Sequence, residues 1–157
     1  MSKGEAAAHP VSDLRDHIGF WMRGVSNHVS HSFSQKIQKS RVTVAEWVVL
    51  REMYDHDCTS PSKIAELTGM TRGAASKLID RLVEKRLISR EERSDDRRYQ
   101  DIRLTDAGTQ LVPALATLAD RNDREFFAPL TAGERRELLA ILKRLAQAHK
   151  LNKVPTQ

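Results

Sequence analysis

The sequence predicts a mainly α-helical protein with a minor β component, a single two-stranded hairpin. Three observations carry that expectation. Apolar residues recur every three or four positions over long stretches, the period of amphipathic helices. Glycine (7) and proline (5) are sparse in 157 residues. One highly charged stretch, REERSDDRRYQDIRLT at 90–105, closes in a short apolar alternation and a helix-start signal, which a disordered charged linker would not do.

The length is that of one domain able to bury a core. Hydrophobic residues make up 39% and charged residues 30%, a globular rather than a disordered balance. No apolar run approaches the roughly 18 residues of a membrane span. The N-terminal MSKGEAAAHP lacks the apolar stretch of a signal peptide, so a cytoplasmic location without a membrane partner is expected. The single cysteine, Cys58, excludes an internal disulfide and a multi-cysteine zinc site. A net charge of +5 favours a polyanionic partner, with the distribution of charge deciding.

Residues 1–12 and 150–157 read as tails around one domain at 13–149. From Asp13, the spacing of Leu14, Ile18, Trp21, Met22, Val25, Val29, Phe33 and Ile37 predicts a long amphipathic helix over 13–37. Thr43-Val44-Ala45-Glu46 is a capping box and starts the second helix, which carries Trp47, Val48, Leu50 and Met53. Ser60 as N-cap and Pro61 at the first helical position open a short third helix. Gly69 suits the left-handed position that ends it, and Thr71 starts a fourth helix running to about Lys85. Leu87 to Arg93 and Gln100 to Leu104 read as two short strands. A helix starting near Thr105 contains Pro113, which removes one backbone hydrogen bond and favours a bend. Thr131-Ala132-Gly133-Glu134, a second capping box, starts the last helix, through Leu138, Leu142 and Leu145.

The fourth helix holds the functional signal. Ala75, Leu78, Ile79 and Leu82 fall on one side, which faces the core. Arg72, Gly73, Ser76, Lys77, Asp80 and Arg81 fall on the other. Gly73 and Ala74 allow the backbone to approach a surface closely, and the free amides of the first turn favour phosphate. A mixed-charge face alone describes any solvated helix. The order of elements decides otherwise: short helix, glycine turn, this helix, then a charged hairpin. Such a hairpin is a wing, whose arginines at the tip reach a minor groove while the helix reads a major groove. Asp95 and Asp96 are placed to fix the tip by pairing with nearby arginines. Residues expected to meet DNA are Thr71, Arg72, Gly73, Ser76, Lys77 and Arg81 on the helix, and Asp96, Arg97 and Arg98 on the wing.

SPSKIAELTGMTRGAASKLIDRLVEKRLISREERSDDRRYQDIRLTDAG resembles the winged helix-turn-helix core of the MarR family of transcriptional regulators. The DDRR tip followed by a strand ending in LT is its most specific motif, and the resemblance extends over about 13–149. It implies a helix-turn-helix at about 61–84 and a wing at about 87–104. It also implies an all-helical dimerisation region formed by 13–37 and 105–149. A homodimer acting on double-stranded DNA at a pseudo-palindromic operator follows, repressing more often than activating. The family's wing aspartate and tip arginine fall on Asp96 and Arg98. One departure is Arg86, where the family often has glycine. If the backbone there is left-handed, it costs about 1 kcal/mol relative to glycine.

Other features have plainer readings. Cys58 stands beside Asp55, His56 and Asp57, negative neighbours that raise a thiol's pKa and blunt it, so an inert loop cysteine is favoured over an oxidant sensor. His28 and His31 have a zinc-like i, i+3 spacing, with no second ligand pair beyond His56 or His17, so no metal is expected. His17, Trp21 and Trp47 are candidates for lining a pocket for a small aromatic effector, which the resemblance implies where the first two helices meet the DNA-binding lobe. Filling the core or a dimer interface is the plainer role for both tryptophans. No phosphate loop, nucleophile elbow or paired carboxylate appears, so neither an enzyme nor a cofactor is expected. The rival reading is a winged-helix module for protein interaction, which has no need of arginines at the wing tip beside a small-residue helix.

Overall fold

The computed structural model describes residues 10–96 and 99–151. The tails expected at 1–12 and 150–157 fall largely outside them. Among these residues six α-helices and two strands follow in order: α1 (Ile18–Ile37), α2 (Val44–Tyr54), α3 (Pro61–Thr68), α4 (Arg72–Glu84), β1 (Ile88–Glu92), β2 (Gln100–Leu104), α5 (Asp106–Phe126) and α6 (Ala132–Ala148).

The caps read from the sequence act as caps. The Thr43 hydroxyl accepts from the Glu46 amide at 3.2 Å, and the Glu46 carboxylate accepts from the Thr43 amide at 2.9 Å. The same reciprocal pair starts α6 between Thr131 and Glu134, at 3.2 and 2.7 Å. These bonds hold the Glu134 carboxyl below the usual carboxylate range, the Thr131 backbone amide being the main cause. Ser60 caps α3 with Pro61 in its first turn, and Gly69 ends it at φ 73°.

The first helix is shorter than its periodicity predicts. Asp13 caps a separate 3-10 turn, Leu14–Asp16, by accepting from the Arg15 amide at 2.8 Å. His17 is extended, at φ −92° and ψ 122°, so the helical hydrogen-bond ladder restarts at Ile18. Apolar spacing reports which side is greasy, and it continues across such a break. α5 runs through Pro113; both Pro113 and Thr109, whose carbonyl loses its i+4 partner, are exposed.

α2, α3, α4 and the strand pair close around Val49, Leu50, Ile64, Ile79, Leu82 and Ile102, each fully buried. Burying side chains of this size contributes about 1.5–3 kcal/mol each. β1 and β2 pair antiparallel, Ile88 opposite Leu104 and Glu92 opposite Gln100. Thr59 adds a bridge to Ile102, with both backbone bonds made at 3.1 and 2.8 Å. The hairpin is thereby pinned to the loop that carries Cys58.

α1 and α5 pack through a polar seam as well as Phe33, Ile37, Val112 and Leu115. Buried Asn122 accepts from the Ser32 hydroxyl at 2.8 Å and donates to the Val29 carbonyl at 3.1 Å, satisfying an amide that burial would otherwise penalise. Lys36 donates to Ser32 and pairs with Glu125 at 2.8 Å. α6 buries none of its residues. No described helix is long and apolar enough to cross a membrane.

Candidate nucleic-acid interface

α4 is fixed by its apolar side. Ala75, Ile79 and Leu82 are fully buried, which turns the other side outward. Thr71, Arg72, Gly73, Ser76, Lys77 and Arg81 are all exposed. Thr71 caps the helix by accepting from the Ala74 amide at 3.1 Å, so the start of α4 is a firm edge rather than a frayed turn. Arg72 and Ser76 are four residues apart and Lys77 follows next, which sets all three on the outward part of the first two turns. Gly73 has open space where a side chain would be. This arrangement offers two cations, a hydroxyl and free first-turn amides with little bulk between them.

The C-terminal end of α4 is a Schellman closure. The Arg86 amide donates to the Val83 carbonyl at 2.9 Å and the Leu87 amide to the Leu82 carbonyl at 3.0 Å. Arg86 takes the left-handed position at φ 59°, where glycine is the common choice. The departure seen in the sequence therefore leaves the geometry intact and carries the steric cost of a side chain.

The hairpin follows directly. Asp80 of α4 pairs with Arg90 of β1, tying helix to wing. At the tip, Arg93 pairs with Asp95 at 3.3 Å. The Asp96 amide donates to Asp95 at 3.1 Å, and its carbonyl accepts from the Tyr99 amide at 3.0 Å. Arg97 and Arg98, expected at the tip, lie outside the described residues.

Of the three residues considered for an effector pocket, Trp21 and Trp47 lie apart. Trp21 lies 12 positions before Phe33 on α1, about 18 Å along the helix axis. Trp47 stacks edge-on against that Phe33, ring centres 6.1 Å apart. Trp21 is 56% exposed and donates to the Arg15 carbonyl at 2.8 Å. With Phe20, Gly24, Val25, His28 and Phe126 it lines an open cleft of about 540 Å³. The His17 ring sits over the carbonyls of Asp13 and Leu14. Cys58 is exposed. Among the described residues no three acidic, histidine or cysteine side chains converge as metal ligands do.

The sequence reading missed the partner of Lys85. Its ammonium reaches Glu46, 39 residues earlier, at 2.7 and 2.9 Å. No local pattern in the sequence reports such a pairing.

Residues 42–99 match the model of the MarR family. The transcriptional repressor MdtR of Bacillus subtilis is 29% identical over 140 residues, 88% of this chain and 89% of that protein. A probable transcriptional regulator from Pseudomonas aeruginosa has a similar structure, with TM-score 0.78 and 28% identity over 85% of this chain and 99% of that one. A mutant MarR from Escherichia coli, solved in complex with operator DNA, superposes with TM-score 0.77 and 25% identity, over 85% of this chain and 99% of that one. Residues 42–99 thus carry a match to the MarR family, and the fold of the chain is similar to that of MarR-type winged helix-turn-helix regulators.

Proposed function

We propose that this chain is a sequence-specific DNA-binding transcriptional regulator, a homodimeric repressor released by a small-molecule effector. The observation that carries the reading is the outer side of α4. Thr71, Arg72, Gly73, Ser76, Lys77 and Arg81 are all exposed there, on a helix anchored by three fully buried residues. A major groove accepts such a helix, and arginine or lysine reads guanine edges while neighbouring amides take phosphate. Asp96, Arg97 and Arg98 complete the interface from the wing.

Dimerisation is supported by the apolar residues left outside. Leu14, Ile18, Trp21, Met22 and Val25 are exposed at the start of the chain, and Leu139, Ile141, Leu142 and Leu145 on α6. A second copy covers both sets under two-fold symmetry, which presents two recognition helices to a pseudo-palindromic operator. The relatives named above are regulators of transcription, in keeping with a protein that is not an enzyme.

The test is selection of duplexes from a random-sequence library by the purified protein. The proposal expects enrichment of an inverted repeat whose half-sites lie about one helical turn apart, or a multiple of it. A library that emerges unenriched contradicts it.

A further inference from the structure

Lys85 follows the last residue of α4 as its C-cap. On charge alone, a lysine at the end of a DNA-reading helix would be assigned to a phosphate. Its ammonium carries three hydrogens, and three acceptors surround it: Glu46 Oε1 at 2.9 Å, Glu46 Oε2 at 2.7 Å and the Arg41 carbonyl at 2.7 Å. The Glu46 side chain is 1% exposed, and its Oε2 also accepts the Thr43 amide at 2.9 Å. Arg41 stands at φ 58°, with its own amide on the Gln38 carbonyl at 3.1 Å. The turn before α2 and the first turn of α2 therefore deliver a carbonyl and a carboxylate to one cation.

Opening this arrangement to reach a phosphate would leave a buried carboxylate without its counter-charge, a strongly destabilised state. Beside the buried apolar side of α4, its remaining polar ties are weaker or more local. Thr71 caps the helix within its own first turn, and the Asp80–Arg90 pair is half-exposed and screened by salt.

We infer that Lys85 is a positioning residue and not a DNA ligand. Clamped on Glu46 and the Arg41 carbonyl, it fixes the end of α4 against the start of α2 and so aims Arg72, Ser76 and Lys77. α4 is 13 residues long, about 20 Å. A tilt of about 5° at its clamped end moves its far end by about 1.7 Å, enough to spoil a bidentate base contact. The inference rests on the DNA-reading role proposed for α4.

The experiment uses the duplex that the wild-type protein selects from a random library and a scrambled duplex of the same composition. Fluorescence anisotropy is recorded at several salt concentrations for wild type, Lys85→Met and the double variant Glu46→Gln/Lys85→Met. Lys85→Met should lower the preference for the selected duplex about tenfold, the scale of one lost base contact. Affinity for the scrambled duplex and the salt slope should stay at wild-type values, because no phosphate contact is lost. The double variant removes the uncompensated carboxylate and should recover thermal stability without recovering the preference. That outcome separates aiming the helix from holding the fold.

Two results overturn the inference alone. One is a parallel loss on both duplexes, with the salt slope shallower by about one unit, as for a phosphate contact. The other is a folded double variant with wild-type preference. A wild-type protein that selects no duplex overturns the proposed function, and this inference with it.

Discussion

Gly108, in the first turn of α5, lies against the carbonyl oxygen of Leu87, so closely that a Cβ there would stand 2.2 Å from it. The same carbonyl accepts the Thr105 amide at 3.0 Å, and the Thr105 hydroxyl donates to the Arg86 carbonyl at 2.7 Å. The end of α4, the start of β1 and the start of α5 thus meet in one backbone junction. Alanine in a helix is worth about 1 kcal/mol over glycine, but here the methyl meets backbone that cannot turn aside. Overpacking of this kind costs about 1–3 kcal/mol, and a contact this short belongs at the upper end. Gly108→Ala should lower the melting temperature by several degrees in a thermal scan; an unchanged or raised value would show that the junction is looser than described.

Arg86 stands one residue before Leu87 and gives a substitution of opposite sign. Its left-handed backbone, φ 59°, costs a residue with Cβ about 1–2 kcal/mol. Arg86→Gly relieves that strain, partly offset by the greater freedom of glycine in the unfolded chain. A net gain of about 1 kcal/mol is expected, seen as a shift of the urea midpoint with unchanged slope. Destabilisation would mean that the Arg86 side chain makes contacts worth more than the strain.

Local signals in this chain were legible, and distant pairings were not. Thr43 with Glu46, Ser60 with Pro61, Gly69, and Thr131 with Glu134 all act within a turn of themselves, so a short window of sequence contains their whole physics. The expected outward side of α4 followed from the burial of Ala75, Ile79 and Leu82. The break at His17 was hidden because apolar spacing persists through it. Asn122 with Ser32, Thr59 with Ile102, and Lys85 with Glu46 join residues that are remote in sequence. Only the fold brings them together, and the same fold sets Trp21 and Trp47 apart.

The Glu125 carboxyl is held at about 2, well below the ordinary 4.5, first by the hydrogen bond from Lys36 and then by that from Arg121. Because the folded value is depressed, the stability this group contributes is present above pH 4.5 and is lost as pH falls through about 2. Lys36→Met should move the Glu125 midpoint, followed by NMR of the side-chain carboxyl, up toward the ordinary value and flatten the pH dependence of stability in that window. A midpoint still near 2 in the variant would place the cause elsewhere.

The exposed leucines of α6 test the assembly. Leu142 and Leu145 are about 40% exposed, at 41% and 42%, and a charge on that stripe has no place in an apolar interface. Light scattering at micromolar concentration should give twice the 17.8 kDa chain mass for wild type and a single chain mass for Leu142→Asp/Leu145→Asp. A monomeric wild type would remove the two-fold arrangement altogether.

The central claim is that the outer side of α4 reads DNA, and one comparison tests it most directly. Arg72→Ala/Ser76→Ala/Lys77→Ala touches no buried residue, so the variant should stay folded by circular dichroism. Each base-reading residue lost should cost about 1–3 kcal/mol on the selected duplex, bringing affinity close to that for scrambled DNA. The salt slope should become shallower as phosphate contacts from Arg72 or Lys77 disappear. A folded triple variant that binds the selected duplex as tightly and as selectively as wild type would contradict the account.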